Sequence, residues 1–405
     1  MPDGRIAFRY PSFRLYLIAR FLATATSEMQ AVAVGWQVYA ITHRPLDLGL
    51  VGLAQFLPGV FLFLLAGHTA DRFPRRRILV CCYAAFSVCS GLLLLLTLRG
   101  LTSVYPIYAV LVMNGVVRAF SGPTSQALLP QLVAAEHFPN AVAWGSSVFQ
   151  AAQVLGPTIG GVVYGITASP VPVYASAAVF YIASLFLMAM VEVSGAQRPR
   201  GATSIAYVLE GLRYIRQNRI LFGAISLDLF AVLLGGSVAL LPVYARDILH
   251  VGATGLGLLR ASPGLGAVSM AIVMAHYPLR RRAGATMLWC VAGFGVFTVA
   301  FALSHNLVLS MAALAATGAS DMVSVIVRHT LVQLGTPDEM RGRVSSVNMV
   351  FIGASNEFGQ FESGFTAQWF GAVPAVLIGG IGTIVVVALW AKFFPSLRRV
   401  DELVR

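Results

Sequence analysis

The chain has 405 residues, of which 58% are apolar and only 11% charged, with a mean hydropathy of +0.79. So few polar side chains cannot cover a soluble globule of this size, which puts the chain in a lipid bilayer. The net charge of +12 would suit nucleic acid, but the arginines come in short clusters between apolar runs and not along one polar face, so membrane topology accounts for them and nucleic acid is excluded as a partner.

The first fourteen residues show no small-residue cleavage site behind a short apolar core, so the first apolar run is expected to stay as a span, with no signal peptide. A span needs about 20 apolar residues to cross the hydrocarbon. Twelve such runs follow, the first six over residues 13–41, 48–70, 78–98, 104–120, 140–167 and 171–191. The polar stretch 192–219 then carries a short helical pattern, with Ile205, Val208, Leu209, Leu212 and Ile215 on one face and Glu210, Arg213 and Arg216 elsewhere. That pattern predicts a helix on the membrane surface. The second six runs cover residues 220–245, 251–277, 283–303, 307–331, 344–370 and 373–394. The expectation is an all-α membrane protein with twelve transmembrane helices, divided into a six-helix bundle over 1–192, a cytoplasmic linker over 193–219 and a second six-helix bundle over 220–405.

Alternating the runs across the bilayer leaves 21 of the 28 Lys and Arg on the side of the termini and only Arg44, Arg99 and Arg246 on the other. The positive-inside rule therefore predicts that both termini are cytoplasmic. The halves also echo each other at a constant offset of 202, pairing Gln131 with Gln333, Leu132 with Leu334, Val142 with Val344 and Phe149 with Phe351. Arg280 to Arg282 likewise repeat Arg75 to Arg77 between the second and third runs of each half. Two such bundles in parallel repeat put a substrate site where they meet, near mid-membrane.

Charge within a span is costly, by about 2.5–3.5 kcal/mol on insertion scales, so the ionisable residues there need partners or water. They are Glu28 in the first run, with Arg20 eight residues and about 12 Å before it along the helix axis, Arg118 in the fourth, Asp228 in the seventh, Arg260 in the eighth, Asp321 and Arg328 in the tenth, and Glu357 and Glu362 in the eleventh. Asp321, Ser324 and Arg328 share one helix face, as do Asn348, Ser355 and Glu362, whereas Glu357 points elsewhere. Acids and arginines so placed are candidates for proton exchange. The plainer alternative is a static interhelical ion pair. Gln30, Trp36, Gln37, Asn114, Gln150 and Gln153 would complete a mostly apolar pocket for an amphipathic organic molecule, or simply bond adjacent helices. Cys81, Cys82, Cys89 and Cys290 lack metal-ligand spacing and are read as packing residues, so neither metal nor cofactor is expected. No Walker loop, HExxH, GxSxG or dinucleotide fingerprint occurs in a suitable context, which argues against an enzyme and against ATP as energy source.

The first basic loop, GHTADRFPRRRIL, is similar to the GxxxDRxxRR signature of the major facilitator superfamily through Gly67, Asp71, Arg72, Arg75 and Arg76, with Pro74 where a Gly is usual. A second match, GPxxGG, lies in the fifth run at Gly156, Pro157, Gly160 and Gly161 and resembles the motif of the antiporting branches, with Ala152 where the fuller motif has a Gly. The resemblance extends over nearly the whole chain and is nearest to the branch with siderophore exporters and macrolide efflux pumps. It implies a monomer in a bacterial inner membrane that works as a proton-coupled antiporter, exporting a small drug, macrolide or siderophore by alternating access. It also implies that Asp71 and its arginines brace the cytoplasmic side, near Arg343, and that Arg118 stands where antiporters often tie an arginine to proton coupling. The competing readings are an uncoupled facilitator or lipid flippase, and a non-transporting membrane sensor or scaffold.

Overall fold

A computed structural model describes residues 5–193, 205–277, 279 and 281–401, apart from the side chains of residues 63, 64, 71, 205–207 and 338. Part of the linker (194–204) and Arg280 therefore lie outside the described residues. Most of those described are helical, and none lies in a strand. The first half holds α1 (Pro11–Thr42), α2 (Pro45–Arg72), α3 (Arg75–Leu98), α4 (Tyr105–Leu128), α5 (Phe138–Thr167) and α6 (Val171–Ala189). The linker helix is α7 (Ile205–Gln217). Then come α8 (Arg219–Leu234), the single turn α9 (Leu241–Val243), α10 (Gly252–His276), α11 (Ala283–Ala302), α12 (Leu307–Leu334), α13 (Asp338–Phe370), α14 (Ala372–Phe393) and the short α15 (Pro395–Arg398).

Local chemistry sets several of these boundaries. Pro11 and Pro45 open α1 and α2, where a missing N–H costs nothing. Asn218 caps α8 by accepting from the backbone N–H of Ile220 and Leu221 at 3.1 and 3.2 Å, and Asn306 does the same for α12 through Val308 and Leu309. Gly371, at φ +88°, supplies the left-handed turn that separates α13 from α14.

Eight of the described helices are long and apolar enough to cross a membrane, one of them running from Arg219 to Ile248. The remaining long helices, α1, α4, α5 and α13, have 24 to 33 residues. They carry many of the charged and amide side chains singled out in the sequence, among them Arg20, Glu28, Arg118, Gln150, Gln153, Glu357 and Glu362. The seventh expected run is not one continuous α-helix. It stops at Leu234, because Gly235 and Gly236 end the helix, and resumes through a 3-10 turn (Ser237–Leu240), α9 and a π turn (Tyr244–Ile248). A Cβ on Gly236 would stand 2.4 Å from the Gly359 backbone, so the break permits a close approach to α13.

The chain divides into two compact units, one of residues 1–42 and 54–203, the other of 43–53 and 204–405. In unit 1, α1 packs on α5 and α6, and α3 on α4 and α6. In unit 2, α8 packs on α13 and α14, and α11 on α12 and α14. The pairs correspond run by run, so the repeat faintly visible in the sequence is a repeat of packing. Phe13, Tyr16, Leu79, Tyr83, Phe86 and Tyr181 anchor the core of unit 1, and Leu227, Met287, Val291, Val327 and Val386 that of unit 2. The linker helix also belongs to unit 2. Its Val208 and Ile215 pack with Val344 and Val347, so part of the face expected to lie on lipid is spent on α13, while Leu209 and Leu212 stay exposed.

Candidate functional site

Within unit 2, α8 and α12 bring Asp228 and Arg328 into a direct ion pair, with both residues buried at 6% and 2% exposure. Asp321 stands two turns before Arg328 on α12. It lines, together with Asp228, Ala231, Val232, Val291 and Phe294, a cavity of about 10 Å³. That is close to the space one water molecule needs. Two carboxylates thus line one small, mostly apolar cavity, the Asp228 carboxylate held by Arg328, while Arg260 lies on α10, the helix packed along α12. Ser324, between them on α12, is 1% exposed, and its hydroxyl has no partner among the described residues.

A second cavity, of about 440 Å³, opens between α8 and α13. Leu229 and Leu233 form one wall and Phe358, Phe361 and Phe365 the other, with Ser355 and Glu362 on the same lining. Glu362 accepts a bond from the Thr366 hydroxyl at 2.7 Å, which fixes its carboxylate. Asn348 is buried without a partner for its carbonyl oxygen among the described residues and is not on this lining. Glu357 accepts from the Gln360 amide at 3.3 Å and lies beside Gly52 of the first turns of α2.

In unit 1 the fifth-run motif meets the acid of the first helix. A Cβ on Gly156 would come within 2.5 Å of the Ala25 carbonyl and 2.8 Å of the Glu28 Cβ, and one on Gly160 within 2.6 Å of the Met29 carbonyl. Gly156 and Gly160 therefore let α5 lie against the α1 backbone. Pro157 sits in the seam, and Gly161 is buried on the following turn. One turn before Gly156, Gln153 donates to Glu28 at 3.2 Å. Arg118, exposed on α4, donates to the Gln55 side chain of α2 at 3.1 Å. The other amides lie apart from these charges. Gln30 accepts from the Ser90 hydroxyl at 2.8 Å, and Gln37 joins Thr97 and Tyr174 in buried bonds of 3.0 and 2.7 Å. Trp36 meets Tyr164 edge-on, Asn114 is buried on α4, and Gln150 is half-buried on α5.

At the basic loop, Arg75 is buried and ties two helix ends together, donating to the Ala70 carbonyl of α2 and, at 2.8 Å, to the Ala127 carbonyl of α4. Arg76 donates to the Ala189 carbonyl at the end of α6. Cations at C-terminal carbonyls also complement the helix dipoles. Gly67 and Arg72 lie in the last turns of α2, while the Asp71 side chain is outside the described set. Arg343 pairs with Glu210 of the linker helix at 3.1 Å.

Some residues of these sites escaped the sequence reading. Phe358, Phe361 and Phe365 fall at i, i+3 and i+7, a spacing that marks one face of α13. Gln55 carried no periodic signal, whereas Arg20, legible in the first run, has its guanidinium 5.9 Å from the Phe149 ring centroid.

These features agree with what the chain is similar to. Residues 5–403 match the family model described as transmembrane secretion effector. The chain is 24% identical over 393 residues to the enterobactin exporter EntS of Citrobacter koseri, covering 96% of this chain and 93% of that one, with the same identity to its Escherichia coli counterpart. Among solved structures it resembles a bacterial homologue of the iron transporter ferroportin (TM-score 0.71, 15% identity, 96% of this chain and 98% of that one). It also resembles a mutant form of the nucleoside transporter NupG (TM-score 0.71, 14% identity, 95% of this chain and 100% of that one). The protein is a multi-pass membrane transporter and not an enzyme. With the model covering almost every residue, the chain belongs to the transmembrane secretion effector family of the major facilitator superfamily.

Proposed function

We propose that the chain is a twelve-span, proton-driven antiporter that exports a small amphipathic organic compound from the bacterial cytoplasm by alternating access, working as a monomer in the inner membrane with both termini cytoplasmic. The observation that carries the coupling is the pairing of buried Asp228 and Arg328 beside Asp321. Asp228 is already paired with Arg328, and Asp321 lines the same small cavity two turns from that arginine on α12. A proton on either acid changes the charge that Arg328 must balance in an apolar wall. An acid–guanidinium pair that opens when a proton arrives gives the bundle two states that differ by a proton.

The cavity between α8 and α13 supports the substrate class. Three phenyl rings and two leucines offer apolar surface suited to the apolar body of a compact amphiphile, with the Glu362 carboxylate, held by Thr366, and the Ser355 hydroxyl, turned to the Ile352 carbonyl, on the same stretch of α13. The similarity to enterobactin exporters favours a siderophore among the drug, macrolide and siderophore classes. In unit 1, Glu28 with Gln153 and Arg118 with Gln55 supply a second set of charges for the proton path. The brace expected of Asp71 remains part of this reading.

The test is transport in liposomes of the purified protein. A panel of catecholate siderophores, macrolides and cationic dyes is loaded under an imposed pH gradient. Movement of one class against its own gradient, driven by the pH difference, is the expected result. Flux that ignores the pH difference would instead mean an uncoupled facilitator, and no flux of any compound a sensor or scaffold.

A further inference from the structure

The basic loop expected to act as a brace also lines a recess on its outer side. It measures about 690 Å³ and is lined by Arg75, Arg76 and Arg77 at one end and by Val80, Cys81 and Val193 at the other. Among the described residues, no acidic side chain lines it. The Arg75 guanidinium is turned inward to the Ala70 and Ala127 carbonyls, so the outer pair shapes what can bind. Arg76 spends one donor on the Ala189 carbonyl and keeps others of its five N–H groups for a ligand. Arg77 is exposed and has no carboxylate partner among the described residues. Gln131, from the segment that repeats in the second half, belongs to the same lining.

Below the arginines the surface turns apolar in two tracks. Cys81 follows Arg77 by four residues and is exposed, and Val88 and Leu95 continue that face of α3 at seven-residue steps with 57% and 46% exposure. On α6, which packs on α3, Met190, Phe186 and Ile182 are exposed at four-residue steps leading away from Ala189. A bidentate cation above two greasy tracks matches a molecule with an anionic phosphate head and acyl tails, and a free phosphate would have no use for the tracks.

We propose that this recess binds one anionic phospholipid, with the phosphate on Arg76 and Arg77 and the acyl chains along α3 and α6. The site shares Arg75 and Arg76 with the expected brace, but lipid retention can be read without any transport. Native mass spectrometry of the full-length detergent-solubilised protein, offered phosphatidylglycerol and phosphatidylcholine of distinct mass in equal amounts, tests it. The wild type should retain one phosphatidylglycerol in preference to phosphatidylcholine. Arg77→Gln, an exposed change that leaves the fold intact, should weaken retention about five-fold, the effect of roughly one basic side chain near an anionic head. Arg76→Gln with Arg77→Gln should abolish the preference. Arg216→Gln on α7 removes an arginine elsewhere and should leave retention unchanged. Equal retention by wild type and Arg77→Gln, or an equal loss with Arg216→Gln, would overturn the assignment. A lipid displaced by millimolar inorganic phosphate would make free phosphate the occupant and would overturn it too.

Discussion

The two units carry corresponding charges in unlike surroundings. In unit 2 the acid of the first helix, Asp228, is buried and bound to a buried arginine of the fourth, Arg328. In unit 1 the acid of the first helix, Glu28, is half-buried with an amide for a partner, and the arginine of the fourth, Arg118, is exposed on another amide. The same repeat of helix packing thus holds a sealed ion pair in one unit and accessible charges in the other. A buried pair depends on its partner to remain charged, whereas an accessible charge can draw on water. Under the proposed function, this contrast would put the switch in unit 2 and the exchange with solvent in unit 1.

The largest effect that would break this comparison comes from the sealed pair. Arg328→Met leaves Asp228 buried without its cation and should cost about 3–5 kcal/mol, seen as loss of folded protein or a large fall in Tm in detergent. Asp228→Asn combined with Arg328→Met removes both charges and should recover much of that loss. An unchanged Tm for Arg328→Met would mean that the acid is not sealed. Next comes the seam beside Glu28. Gly156→Leu forces a side chain into backbone 2.5 Å away and should destabilise by about 1–3 kcal/mol or more, while Ser146→Leu, on an exposed face of the same helix, should not.

The accessible charges should respond less. Glu28→Gln keeps a group that can bond Gln153 and should change stability by no more than about 1 kcal/mol, in contrast to Asp228→Asn. A loss as large as that of Arg328→Met would erase the distinction between the units. The smallest effect is expected for Arg343→Gln, because its partner Glu210 is 57% exposed and such pairs contribute about 0–1 kcal/mol. Here the Tm should barely move.

Much of this fold follows from patterns that a sequence displays. Apolar runs of the right length set the helices, and α5 and α14 begin and end within two residues of the expected runs. Helix rotation is different, because an apolar helix in lipid shows little periodicity on which to fix its faces. That is why Gln30 and Gln37, read as cavity residues, could not be told from the buried bridges to Ser90, Thr97 and Tyr174 that they form. The first turns of α2 were assigned to the first bundle because they adjoin it in sequence. Yet they cluster with unit 2, where Gly49 meets the backbone of Phe361 and Gly364 meets that of Gly49. Small residues at Gly49, Gly52 and Gly364 were a signal for that close approach, but a pair so far apart in sequence names no partner. The Asp228–Arg328 contact is hidden from the sequence for the same reason, whereas the common face of Asp321, Ser324 and Arg328 follows from helical spacing alone.

The account rests most on Asp321 and Asp228 exchanging a proton across Arg328, and liposomes with a trapped pH dye test it directly. In the wild type, substrate added under a pH gradient should move protons in step with substrate. In Asp321→Asn that proton movement should vanish while substrate-for-substrate exchange at equal pH continues. Proton movement undiminished in Asp321→Asn would contradict the account.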